Sequence, residues 1–139
     1  MTLNAVQADI YLHHLEINSS DPERLAEFYS NVMDMILKRV SNQKFLCEGP
    51  NRKIIIIKGK NKTLGYAGMI CKNEENLERY KNFLIQNKCE INNFESEFYK
   101  AGSFSLHDPD DNMICFGVLN NENSFYTKSI HAPLQHLTF

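Results

Sequence analysis

Three segments of the chain begin alike, and the residue standing third in each is capable of chemistry: Leu12-His13-His14-Leu15, Leu64-Gly65-Tyr66-Ala67 and Leu134-Gln135-His136-Leu137. An imidazole held on a strand serves as a metal ligand, a general base or a hydrogen-bonded packing residue, and its partners decide which. Two and four residues beyond His14, Glu16 and Asn18 fall on the same strand face, so nitrogen, carboxylate and amide stand in one row. Cys115, late in the chain, adds a thiol whose thiolate would suit a softer metal. His14, Glu16 and Cys115 are thus the candidate metal donors, but one histidine cannot supply an iron or manganese site, which needs several His and carboxylate donors in fixed geometry. His13 and His107 are expected as packed or surface residues. The expectation is a chain without a metal and without a catalytic residue of its own.

The elements that must position these side chains repeat. Shifting the chain by 52 residues superimposes Leu12 on Leu64, His14 on Tyr66, Asp21 on Asn73, Glu23 on Glu75, Leu25 on Leu77, Phe28 on Tyr80 and Val32 on Leu84. Residues 10–18 alternate as a strand. Asp21 then caps a helix with Pro22 at its first position, and Leu25, Phe28, Tyr29 and Val32 form the stripe expected to lie against a sheet. Strand candidates follow at Ile36–Val40, Lys44–Cys47 and Lys53–Lys58, separated by turn-forming clusters. The second copy offers a strand at Tyr66–Cys71, a helix from about Asn73 to Asn87 with Leu77, Tyr80 and Leu84 on one stripe, and strand candidates at Cys89–Phe94 and Phe98–Leu106. Asp108-Pro109-Asp110-Asp111-Asn112 is a dense turn signal that joins Phe104–His107 to Met113–Val118 as a hairpin. In the last strand Ile114, Phe116 and Val118 share the helix-covered face, leaving Cys115 on the other.

The fold class is therefore α+β, with tandem βαβββ units at about 10–60 and 64–118 forming one domain with a concave mixed sheet. Residues 119–133 are expected to be a linker, and 134–139 the start of a possible second domain. The natural ligand place is the concavity. Strand phase lines it with His14, Glu16, Asn18, Tyr66, Phe104, Leu106 and Cys115.

Composition excludes several classes. A formal net charge of −2 with no Lys/Arg run longer than a pair leaves no footprint for nucleic acid. The longest aliphatic run, Ile54–Ile57, is too short to span a bilayer, and with no leader-like N-terminus the expectation is a cytoplasmic chain. Four cysteines without a CxxC pair suit buried thiols better than disulfides or structural zinc. No glycine-rich phosphate loop, serine elbow or Cys-His dyad appears.

The motifs His14-Leu15-Glu16-Ile17-Asn18-Ser19-Ser20-Asp21 with Phe28-Tyr29, and Asp108 to Asn112 followed by Met113-Ile114-Cys115-Phe116, resemble the vicinal oxygen chelate superfamily of glyoxalase I, bleomycin-resistance proteins and extradiol ring-cleavage dioxygenases. Phe45 to Gly49, the Ile54–Ile57 strand and the Leu64-Gly65-Tyr66 entry are most similar to the N-terminal domain of a two-domain extradiol dioxygenase, and Pro133 to Phe139 resembles the entry to the second domain, where His136 would be an iron ligand. The resemblance implies Fe(II) or Mn(II) only where the ligand set is complete. At the usual ligand positions this chain has His14, an aliphatic residue of Ile54–Ile57, Tyr66 and Cys115. The resemblance therefore implies a non-catalytic, metal-free N-terminal half with no cofactor. The alternatives are a stand-alone metal-free binder of a small aromatic or polar molecule, of the bleomycin-resistance type, and a metal-dependent glyoxalase or dioxygenase. A homodimer is expected for each.

Overall fold

The structure, a computed structural model, describes residues 1–120. The expected start at 134–139, with His136, and residues 121–133 of the expected linker lie outside the described residues. The chain forms β1 (Tyr11–Ser19), α1 (Pro22–Asn31), β2 (Ile36–Ser41), β3 (Lys44–Gly49), β4 (Arg52–Lys58), β5 (Thr63–Cys71), α2 (Glu74–Gln86), β6 (Asn92–Asn93), β7 (Phe104–His107) and β8 (Met113–Val118). Two compact units divide the described residues, one of residues 13–66 and the other of residues 1–12 and 67–120.

In the first unit the strands are ordered β2-β3-β4-β1, with β1 parallel to β4 and Leu15 opposite Ile54. The other unit is ordered β6-β7-β8-β5, with β5 parallel to β8 and Gly68 opposite Cys115. Both copies thus fold as the same βαβββ unit, as the repeat requires. A parallel pair needs a crossover, and the helix of each copy is part of it.

Each helix starts where a side chain can satisfy a backbone donor. Asp21 Oδ1 accepts from Arg24 N at 3.2 Å with Pro22 next in line, and Asn73 Oδ1 accepts from Asn76 N at 2.8 Å. The α1 stripe differs from the expected one. Ala26 is fully buried and packs with Met35, Phe45, Cys47 and Ile56, assisted by Leu25 and Tyr29, whereas Phe28 and Val32 are 49% and 63% exposed. A residue as small as alanine lets the helix approach the sheet closely, and Phe28 and Val32, two and six residues on, fall on the other side of the helix. On α2 the expected Leu77, Tyr80 and Leu84 are the buried residues, packed with Cys71, Phe104, Phe116 and Val118. Burying side chains of this size stabilises by about 1.5–3 kcal/mol each.

Two strand candidates shrink. Cys89–Phe94 keeps only Asn92–Asn93, and Phe98–Leu106 is strand only from Phe104; between them Tyr99 N donates to Ser96 O, Phe94 N to Ser103 O, Ser103 Oγ to Phe94 O, and Lys100 N to Val118 O. The expected linker also starts later than 119, since Leu119 bridges Tyr99 and Asn120 N donates to Phe98 O at 2.8 Å. Asp108 builds the β7–β8 turn: its Oδ1 accepts from Asp110 N and Asn112 N, both at 2.9 Å, and Asp111 takes the left-handed φ of 67°. Those bonds hold the Asp108 carboxyl below its usual range, the backbone N–H of Asn112 first among them. Cys47, Cys71 and Cys115 are buried, and Cys89 is only half-buried.

Candidate functional site

Within the unit of residues 13–66, β1 brings His13 and His14 together with Tyr66 of β5. His14 Nε2 lies 2.9 Å from Tyr66 Oη, and His14 Nδ1 lies 2.8 Å from His13 Nδ1. The rings meet edge to face at centroid distances of 5.3 Å and 5.1 Å. His14 is 1% exposed, His13 8% and Tyr66 4%. An Nδ1···Nδ1 hydrogen bond needs a proton on one ring nitrogen and a lone pair on the other, so His13 and His14 cannot both be imidazolium. Two proton arrangements satisfy the row: Tyr66 donates to His14 and His14 to His13, or each donation runs in reverse.

Burial lowers the His14 pKa to about 3, with His13 and then Lys53 adding to the effect, and lowers that of His13 to about 4, with Lys53 second. Both rings are neutral at pH 7.

The face of β1, β3 and β4 turned away from α1 is charged around an apolar floor. Ile56, Phe45 and Cys47 pack with α1, so alternation places Lys53, Ile55 and Ile57 of β4, Lys44, Leu46 and Glu48 of β3, and Glu16 and Asn18 of β1 on the opposite face. Lys53 stands directly across from Glu48, which also meets Lys38 Nζ at 3.5 Å. Burial lowers the Lys53 pKa to about 8; Glu48 works against that shift and Lys38 with it. Glu16 is pushed up by burial and drawn down by Lys44. Its carboxylate rests over Gly65, where a Cβ would meet Glu16 Oε2. Asn18 Nδ2 donates to Thr63 Oγ1 at 3.0 Å and Thr63 Oγ1 to Lys60 O at 2.6 Å, fixing the entry to β5. Because Glu48 supports the charge on Lys53, Glu48→Gln is expected to move the Lys53 pKa further below about 8. An NMR titration of the lysine ε-methylene checks this; an unchanged or higher value would show that Glu48 does not hold the charge.

Of the seven residues expected to line a pocket, His14, Glu16, Asn18 and Tyr66 lie in this unit, and Phe104, Leu106 and Cys115 in the other. Phe104 and Leu106 face α2. Residues directly opposite in an antiparallel pair share a face, and these two oppose Phe116 and Ile114; the rings of Phe104 and Phe116 stack at 5.2 Å. Cys115, fully buried, opposes Gly68 and Ser105 on the face away from α2. A cavity of about 610 Å³ in that unit is lined by Lys81, Phe94, Glu95, Tyr99, Lys100 and neighbours, and by none of the seven. His13, Lys53 and Glu48 were not among the expected site residues. The available signal was period two: Glu48 and Lys53 continue the inward phase of Leu46 and Ile55, on strands where a charged residue has to find a partner.

A divalent metal does not fit this arrangement. Among the described residues no three His, Cys, Asp or Glu come together. Both nitrogens of His14 are engaged within the protein, and the charge of Lys53 acts on the histidine pair. No described helix is long and apolar enough to cross a membrane.

A family model described as the Glyoxalase/Bleomycin resistance protein/Dioxygenase superfamily matches residues 11–116. No curated protein matches the chain by sequence. A solved catechol 2,3-dioxygenase is similar at 16% identity and a TM-score of 0.67, over 78% of this chain and 40% of its own. The homoprotocatechuate 2,3-dioxygenase of Arthrobacter globiformis follows at 15% identity and 0.62, over 78% of this chain and 36% of its own. A chain described as NAD-dependent benzaldehyde dehydrogenase from Legionella pneumophila is matched over 98% of its length and 77% of this one, at 14% identity and 0.56. The chain thus spans well under half the length of the two dioxygenases, and the likeness at these identities is one of fold.

Proposed function

The chain belongs to the glyoxalase, bleomycin-resistance and dioxygenase superfamily, and from that premise we propose that it is the non-catalytic, metal-free N-terminal domain of a ring-cleavage-dioxygenase-like protein. One observation carries the reading. His14, the one residue of a usual ligand type among the positions the resemblance points to, spends both ring nitrogens on Tyr66 and His13. The share of the dioxygenases that the chain covers, 40% and 36%, supports a domain's worth of such a protein. In this role the domain contributes structure and assembly, carries no cofactor and works in a homodimer.

The test is elemental analysis of the chain purified from iron- and manganese-supplemented culture, with oxygen uptake followed on catechol. Metal far below one equivalent and no uptake are expected. Near-stoichiometric iron or manganese together with oxygen consumption would overturn the proposal. The solved chain matched over 98% of its length favours a second reading, a stand-alone metal-free binder of a small aromatic or polar molecule. That reading requires a melting temperature that rises with ligand, because only the folded state would bind.

A further inference from the structure

The cavity of about 610 Å³ in the unit of residues 1–12 and 67–120 shares no lining residue with the expected concavity. Its size is that of a small-molecule site. Lys81 of α2 forms one wall, and the connection between β6 and β7, from Asn93 to Ser103, forms the rest. That connection is tied at both ends: Phe94 N donates to Ser103 O and Ser103 Oγ to Phe94 O, while Lys100 N donates to Val118 O and Asn120 N to Phe98 O, both at 2.8 Å. The recess is therefore preformed, and a ligand need not order it. Gly102 turns the chain with a φ of 99°, and a Cβ there would meet no atom beyond its chain neighbours within 4 Å, so the backbone at this point borders open space.

The lining pairs an aromatic wall with a cation. Phe94, itself half-buried, stands edge to face with Tyr99 at 6.1 Å, and two such rings suit a flat apolar body. Of the two ammonium groups, that of Lys100 is committed to Glu74 at 3.5 Å. That of Lys81 is not. Its Nζ lies over the Phe104 ring, 5.8 Å from the centroid, and meets no carboxylate among the described residues. A lysine whose stem covers apolar surface while its charge stands at a recess gains most from a carboxylate entering there. Glu95 and Glu97, exposed on the connection, oppose a second negative charge on the same ligand.

We infer that the cavity between α2 and the β6–β7 connection binds an aromatic monocarboxylate, its ring against Phe94 and Tyr99 and its carboxylate accepting from Lys81 Nζ. Metal content and the concave face do not enter, so this inference and the proposed function fail separately.

The experiment titrates naphthoate, neutral naphthamide and naphthalenedicarboxylate into the isotope-labelled chain, followed by amide NMR. Naphthoate is expected to bind saturably with a dissociation constant of about 1 mM or tighter, moving the amides of residues 93–103 and of α2 around Lys81. Naphthamide and the dicarboxylate are expected to bind at least about tenfold more weakly. Lys81→Met keeps a stem over Phe104 and loses the charge, so naphthoate binding falls by at least about tenfold while naphthamide binding is unchanged; Lys81→Arg restores naphthoate. Naphthoate shifts that are absent or confined to β1, β3 and β4, naphthamide binding as tightly as naphthoate, or Lys81→Met binding naphthoate like wild type would each overturn the inference. Should Lys81→Met fail to fold, the ratio of naphthoate to naphthamide affinity on the wild-type chain decides.

Discussion

Acidification from pH 6.5 toward 4 is expected to remove much of this protein's stability before most carboxylates titrate. His13 and His14 have folded pKa values of about 4 and about 3 against the ordinary 6.5, so the unfolded chain takes up their protons first. A group depressed in the folded state contributes its full stability above the unfolded value and loses it as pH falls toward the folded one. Each histidine then accounts for about 3 kcal/mol by pH 4, at about 1.4 kcal/mol per pH unit. Set against a typical stability of about 5–15 kcal/mol, the pair alone can bring the domain close to unfolding. Glu16 works the other way, since burial raises its folded pKa above 4.5 and its protonation favours the folded state. Lys53, lowered to about 8 from 10.5, weighs against folding below pH 8, and stability should recover by about 3 kcal/mol as pH rises between those values. Urea unfolding at several pH values between 5 and 6.5 measures the slope, expected to correspond to about one proton taken up on unfolding at pH 6.5 and nearly two at pH 5. A flat profile over that range would show that the histidines are not buried neutral.

Gly117→Ala carries the second large effect. A Cβ on Gly117 would stand 2.5 Å from both Cγ and Cδ1 of Tyr99, a buried ring. The ring cannot step aside at low cost. Its backbone donates to Ser96 O at 3.2 Å, bridges Leu119, and leaves Phe94 packed edge-on at 6.1 Å. Inserting one methyl against a fixed ring is expected to destabilise by about 1–3 kcal/mol. The collision is specific, so in a double-mutant cycle the alanine should add little once Tyr99→Gly has removed the whole side chain, whose Cβ would itself stand at 2.9 Å. A Gly117→Ala chain within about 0.5 kcal/mol of wild type in urea would show that the strand shifts freely here.

The repeat made much of the fold legible. Agreement at seven paired positions identified two copies of one βαβββ unit, and the strand orders bear this out. The cap at Asp21 was also visible, since capping is a local interaction between a side chain and a donor three residues on. Less visible were features set by distance. Phe28 and Val32 fit a helical period, but only the approach of α1 to its sheet decided that Ala26 would be the buried residue. Phe104 and Leu106 were assigned to the wrong face because hairpin register, not strand phase alone, fixes which residues share a side.

The candidate site divides along the same line. By itself the sequence determined the fold class, the equivalence of His14 and Tyr66, and the scarcity of usual ligand types, because each is a matter of residue identity at repeated spacing. Only the tertiary structure decided that the equivalent pair would meet at 2.9 Å, that His13 would take the other nitrogen, and that Lys53 and Glu48 would be buried across from one another. These are contacts between strands far apart in the chain or between neighbours whose rings must turn toward one another, and a one-residue change of register would have separated them.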